Sequence, residues 1–201
     1  MSPKQHRGEV TADLLLDAAL RLYTESGEQG VTVSAVTSTS GVSLGSLYHH
    51  FGSLDGLLTA LTDRWTGRLL GQMVTALTGT DRAREGIRAV VETYFAFVRD
   101  HPGAAQLVHS PRADQRLMAD GQAVRDAQEP TVSVFALWAR PRIEAGELAP
   151  LPVPLLETLI LGPVVGLARR RLSGVHDVDL DETVARVLSE RIWRAVRAEP
   201  A

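Results

Sequence analysis

Thr32 to Ser53 reads TVSAVTSTSGVSLGSLYHHFGS, and this stretch decides the fold because it carries two short helices meeting at a tight turn. Thr32 stands where an N-cap belongs, and Val33 and Val36, three residues apart, give the first helix one apolar stripe. Gly41 ends it, since a helix exit needs a residue that tolerates positive φ. Val42 then plugs the angle between the helices, and Ser43 is a second N-cap. Leu47 and Phe51, four apart, form the inner, core-facing stripe of the second helix. Its outer face is left to Leu44, Gly45, Ser46, Tyr48 and His49, small or hydrogen-bonding groups of the kind that meet phosphates, base edges and thymine methyls. Helix, short turn, helix is the spacing of the helix-turn-helix unit, whose second helix lies in the major groove of DNA.

Moving outward, Leu15 to Tyr23 (LLDAALRLY), Gly27, the Gly30-Val31-Thr32 approach, the Leu47-Tyr48-His49-His50-Phe51 run and Leu54 to Leu58 (LDGLL) keep one register. Over about a quarter of the 201 residues the chain resembles the tetracycline-repressor (TetR) family of bacterial transcriptional regulators. The resemblance implies an all-α protein of about nine helices. A three-helix, helix-turn-helix DNA-binding domain would occupy residues 1–53, and a helical ligand-binding and dimerisation domain residues 54–201. It further implies a homodimeric, ligand-responsive regulator, a repressor released from a palindromic double-stranded operator by a small hydrophobic effector, with no cofactor and no catalytic role. Two positions depart from the family pattern: Leu54 replaces a frequent lysine, and Leu44 a frequent basic or proline residue.

Composition narrows the alternatives. An apolar content of 44% suits a folded globular protein, and the absence of cysteine excludes disulfides, thiolate zinc sites and a cysteine nucleophile. Met1 to Val10 lacks an apolar signal-peptide core, which predicts a cytoplasmic protein. Leu151 to Ala168 is mostly apolar, but Glu157, Pro152, Pro154 and Pro163 argue for a buried helix rather than a membrane span. The net charge of −3 argues against coating nucleic acid by bulk charge. Even the N-terminal end is not basic: Lys4, Arg7 and Arg21 face Glu9, Asp13, Asp17, Glu25 and Glu28, and Lys4 is the only lysine. Phosphate contact would then depend on Arg7, hydroxyls and backbone amides at helix N-termini.

Periodicity predicts a flexible arm over Met1–Gly8 and a first helix over Thr11–Ser26 with Leu15, Ala18, Ala19 and Leu22 inward. After the helix-turn-helix, a long helix is expected over Leu54–Leu77, another over Asp81–Asp100 ended by His101-Pro102-Gly103, and a short one over Gly103–His109. Arg112–Gly146 reads as helix with a break at Pro130, Glu147–Pro154 as a loop, and Leu155–Leu172 and Asp179–Ala198 as closing helices. Gly67 and Gly71 within the long helix either let it bend or admit a bulky neighbour. No strand-like alternation or repeat occurs.

Tyr48 and His49 are assigned to phosphates, Ser43, Leu44, Gly45 and Ser46 to base edges, and Thr32 and Ser34 to backbone contact. Trp65, Tyr94, Phe97, His109, Met118, Phe135 and Trp138 are effector-pocket candidates, being large apolar groups with an occasional polar handle between facing helices. For each of them ordinary core packing is the competing reading. The last two helices resemble the pair the family uses to dimerise, which assigns Leu156, Ile160, Pro163, Leu167, Val184, Leu188 and Ile192 to an interface, with Gly162 and Gly166 as a small patch where a helix can approach. No metal site is expected. His49 and His50 are adjacent and diverge on a helix, and His101 and His109 with Asp100 and Asp114 make only a weak cluster. Two other functions compete: a small-molecule-binding helical protein with a vestigial helix-turn-helix, favoured by the acidic N-terminal end, and a helical enzyme, for which Ser46 has no partnered base.

Overall fold

The computed structural model of the chain describes residues 3–119, 134–175 and 178–199, the side chains of 3–7 and 116–118 excepted. The described residues are helical apart from turns and one isolated antiparallel bridge, Leu148 with Arg197. The helices are α1 (Pro3–Gly30), α2 (Val33–Ser40), α3 (Leu44–Phe51), α4 (Leu54–Thr78), α5 (Ala83–Asp100), α6 (Pro102–Val108), α7 (Pro111–Ala119), α8 (helical over 134–144), α9 (Val153–Leu172) and α10 (Glu182–Val196). Most expected boundaries lie within three residues of these. The exception is α1, whose backbone is already helical at Pro3, where the expectation was a flexible arm. Proline suits a first helical position because its missing N–H has no intrahelical acceptor there anyway. Near its other end α1 is interrupted at Gly27, at φ 67. The expected break at Pro130 lies outside the described residues.

The chain forms two compact units. One comprises Met1–Gly67 with Pro102–Ala113, the other Arg68–His101 with Asp114–Ala201. In the first, Leu15, Ala18 and Ala19 of α1 are buried together with Val36, Leu47, Leu57 and Leu61, and α1 packs on α2 and α3. Tyr23 takes the inward place expected of Leu22, which is only half-buried. Burial pushes the Tyr23 hydroxyl pKa up, and Glu28 adds to the shift, while a hydrogen bond with Ser110 opposes it. The short helix α6 lies on α1 through Gly103: a Cβ there would overlap Oγ1 and Cβ of Thr24, so only glycine permits this approach.

In the second unit α5 is central, packing on α9 and α10 with Ile87, Val90, Val91, Tyr94, Phe95 and Val98 buried. Its first turn has no local side-chain cap. The Ala83 N–H instead donates to Oε2 of Glu147 at 2.8 Å, across 64 residues of sequence. Arg142 of α8 fixes the preceding turn, donating to the carbonyls of Thr80 at 2.8 Å and Asp81 at 3.1 Å, with its guanidinium 4.6 Å from the centre of the Trp138 ring. Gly67 and Gly71 are exposed on α4, and a Cβ at either would meet nothing within 4 Å, so among the described residues they admit no bulky neighbour.

Candidate nucleic-acid interface and effector cleft

The two short helices are built by their caps. Thr32 accepts from the Ala35 N–H at 3.2 Å, and Gly41 exits α2 in the left-handed region at φ 67, ψ 12. Ser43 accepts from the Ser46 N–H at 3.2 Å, and the two serine hydroxyls lie 3.0 Å apart. Val36 and Leu47 are fully buried beneath them, which orients α3 with its opposite face outward. Phe51, expected in the core, is only half-buried.

Thr32, Ser34, Ser43, Leu44, Gly45, Tyr48 and His49 are exposed and Ser46 half-buried. Leu44 and Tyr48 are about half exposed, at 52% and 47%, and are therefore available on the outer face of α3. Ser43 and Ser46 are already engaged with each other and with the α3 backbone, so contact with a base edge would use only their remaining hydrogen-bonding capacity. No acidic residue occurs in α2 or α3.

The carboxylates that made the N-terminal end acidic are mostly paired, and two of their partners come from outside residues 1–53. Arg64 of α4 lies 3.0 Å from Asp17 and 3.5 Å from Asp13; Arg112 of α7 bonds Glu28; Arg21 bonds Glu25 at 2.9 Å. Counting charges along the N-terminal segment missed Arg64 and Arg112, which come close only in three dimensions.

The pocket candidates divide. Trp65, Tyr94, Phe97, Phe135 and Trp138 are all buried, and His109 is half-buried. Met118 lies in α7, its side chain outside the described residues. A cleft of ≈ 50 Å³ opens in the second unit, lined by Leu70, Met73, Val74 and Leu77 of α4. Val90 of α5, Phe135 of α8, and Glu157, Ile160 and Leu161 of α9 complete it. Of the candidates whose side chains are described, only Phe135 reaches it; Tyr94, Phe97 and Trp138 are core side chains around α5 and α8, and Trp65 belongs to the first unit. In the sequence Glu157 shows only as a charge interrupting an apolar run, and that interruption is the signal of a polar group in an apolar cleft. Burial raises its carboxyl pKa above the ordinary range.

The interface candidates also divide. Leu156, Ile160 and Ile192 are 0%, 1% and 3% exposed, held by this chain's own core, and so cannot form a surface stripe. Helical phase explains the correction: the stripe Leu156, Ile160, Val164, Ala168 repeats every fourth residue and faces α5 and α10. Pro163 is exposed, while Leu167, Val184 and Leu188 are half-buried. A Cβ at Gly162 or Gly166 would meet nothing within 4 Å among the described residues.

Among the described residues no group of three or more His, Cys, Asp or Glu could hold a metal ion, and no helix is long and apolar enough to cross a membrane. The His101 ring packs edge-on at 5.5 Å from Phe97.

Fold and outward-facing α3 together define an all-helical helix-turn-helix protein. Residues 15–61 match the family model of bacterial regulatory proteins, tetR family. The chain is similar to an HTH-type transcriptional regulator of Mycobacterium tuberculosis, 31% identical over 99 residues that cover 49% of each chain. It is also similar to the HTH-type transcriptional regulator BetI of Rhizobium meliloti, 34% identical over 93 residues and 46% of each chain. It thus spans about half the length of the curated relatives it matches. The crystal structure of the transcriptional regulator FadR from Bacillus subtilis in complex with stearoyl-CoA shares the fold, with a TM-score of 0.72 at 18% identity over 89% of this chain and 96% of that one.

Proposed function

We propose that the protein is a ligand-responsive transcriptional regulator, a homodimeric repressor released from a near-palindromic double-stranded operator by a small hydrophobic effector. Residues 1–53 would serve DNA and residues 54–201 the effector and the second subunit. The observation that carries this reading is α3: capped at Ser43, anchored by buried Leu47, free of acidic residues, and presenting Leu44, Gly45, Tyr48 and His49 to solvent. Tyr48 and His49 are assigned to phosphates, Ser43, Leu44, Gly45 and Ser46 to base edges, and Thr32 and Ser34 to backbone contact. Two copies of α3 should lie about 34–36 Å apart, one turn of DNA. The apolar cleft beside α4 and the stearoyl-CoA bound by FadR support a hydrophobic effector.

Coupling would run along α4, whose 25 residues make a rod of roughly 38 Å at 1.5 Å per residue. A tilt of a few degrees moves the far end of such a rod by ångströms. Linkage then requires effector and operator to weaken each other's binding by one common factor.

The acidic N-terminal end favours the competing reading of a vestigial helix-turn-helix. Pairing of Asp13, Asp17, Glu25 and Glu28 with arginines reduces the force of that objection. The deciding experiment is binding to DNA from the protein's own promoter region across a salt series. Specific binding that weakens with salt supports the regulator, and indifference to DNA at low salt rejects it.

A further inference from the structure

Glu157 gives the cleft of the second unit one charged wall in otherwise apolar surroundings. Its neighbours there include Leu70, Met73, Leu77, Phe135 and Leu161, none of which titrates. The carboxyl is half-buried, and it has no hydrogen-bond or ion-pair partner among the described residues. Burial is accordingly the cause of its raised pKa, with no cation among the described residues opposing it. Three other carboxylates of this unit have partners: Asp114 has Arg169 at 2.5 Å, Glu190 has Arg84 at 2.7 Å, and Glu147 has the Ala83 N–H at 2.8 Å. A carboxylate drawn from water without a counter-ion is costly, and a ligand that brings the counter-ion while covering the apolar wall gains from both.

We infer that this cleft takes a small apolar ammonium compound, with its cationic nitrogen at the Glu157 carboxylate and its hydrocarbon against Met73, Leu77 and Phe135. The inference rests on reading the cleft as the effector site, and it names the effector's chemical class. At ≈ 50 Å³ the space admits only a few heavy atoms, so a short chain or a ring substituent fits better than a long acyl chain. The same carboxylate works against acids, because a second anion at this wall would set like charges together in a poorly screened place.

The test compares three probes with one hydrocarbon, pentylamine, 1-pentanol and sodium pentanoate, by calorimetry and thermal shift on the full chain. Pentylammonium should bind roughly tenfold tighter than pentanol or better, the range expected for a hydrogen bond to a charged group, with pentanoate weakest. Glu157→Gln should erase the advantage of the amine over the alcohol. Val74→Trp, which fills the cleft, should weaken both. Equal binding of amine and alcohol, preference for pentanoate, binding of none of the three, or an amine advantage that survives Glu157→Gln would overturn the inference. Retention of promoter DNA by the unliganded wild-type chain is measured separately. If DNA is not retained while the amine preference holds, the regulator fails and the site stands; if DNA is retained without an amine preference, the site fails and the regulator stands.

Discussion

Arg112 donates twice to a single oxygen of Glu28, from Nε at 2.9 Å and from Nη2 at 2.5 Å, while its Nη1 reaches Asp55. One guanidinium in the first turn of α7 thus ties the end of α1 to the start of α4, with its own pKa raised chiefly by the bond to Glu28. All three side chains retain solvent exposure, so Arg112→Ala should lower stability by only about 1 kcal/mol or less. Arg112→Lys keeps the charge but lacks the planar fork, and should behave more like alanine than like arginine in a melting experiment. Wild-type melting of the lysine variant would show that charge alone suffices.

Gly103→Ala should be far more damaging, because its methyl would overlap the Thr24 side chain, whose Oγ1 donates to the Leu20 carbonyl at 2.8 Å. Overpacking of this kind typically costs about 1–3 kcal/mol. Thr24→Ala in the same chain should recover part of the loss. A double-mutant cycle that gives simple additivity would refute the contact.

Tyr48→Phe tests the outer face of α3. Loss of a hydrogen bond to phosphate should reduce operator affinity by about 1 kcal/mol or more, similarly on all sequences. Since the hydroxyl is neutral and releases no counter-ion, the salt slope should be unaltered. Unchanged affinity would remove Tyr48 from the interface.

The empty surroundings of Gly67 and Gly71 make a clean prediction for α4. Each Gly→Ala change should stabilise the chain, by up to about 1 kcal/mol, because alanine favours the helix and meets no obstacle. If the glycines also let the rod bend, the double variant should bind operator normally yet alter the factor by which effector weakens that binding. An unchanged factor would eliminate the hinge.

Glu157 predicts a pH dependence. Its folded pKa lies above the unfolded value, so the folded state holds the proton more tightly, and stability falls as pH rises through that window. Glu157→Gln should therefore melt higher than wild type at neutral pH, by roughly 2 °C or less for a half-exposed group in a chain of this size. The difference should close below about pH 3.5, roughly a unit under the unfolded pKa, where the carboxyl is largely protonated in both states. A gap that widens on acidification would reverse the assignment.

Local chemistry was legible in the sequence wherever one residue answers its near neighbours. Thr32, Gly41 and Ser43 announced caps that the structure contains, and Val36 and Leu47 announced the core beneath them. Contacts between distant segments were not. Periodicity shows that one face of α9 is apolar but not whether that face meets the chain's own core or another surface, which is why Leu156 and Ile160 were misplaced. Large aromatic side chains were poor guides to the cleft for a related reason: Tyr94 and Phe97 are bulky enough to be drawn into the core, whereas the cleft is lined mainly by aliphatic residues and one carboxylate.

The nonlocal cap of α5 bears on the order in which the second unit folds. The Ala83 N–H finds its acceptor only when Glu147 arrives, and the loop carrying Glu147 is itself held by the C-terminal segment, through Ala198 N–H to the Glu147 carbonyl at 3.1 Å and Ala149 N–H to the Val196 carbonyl at 2.8 Å. The first turn of α5 therefore stays frayed until three segments far apart in sequence have come together, and contacts of that kind form slowly. Hydrogen exchange at the Ala83 amide becomes a reporter of that late convergence: it should be protected after the amides in the middle of α5, and exposed before them when the unit begins to open.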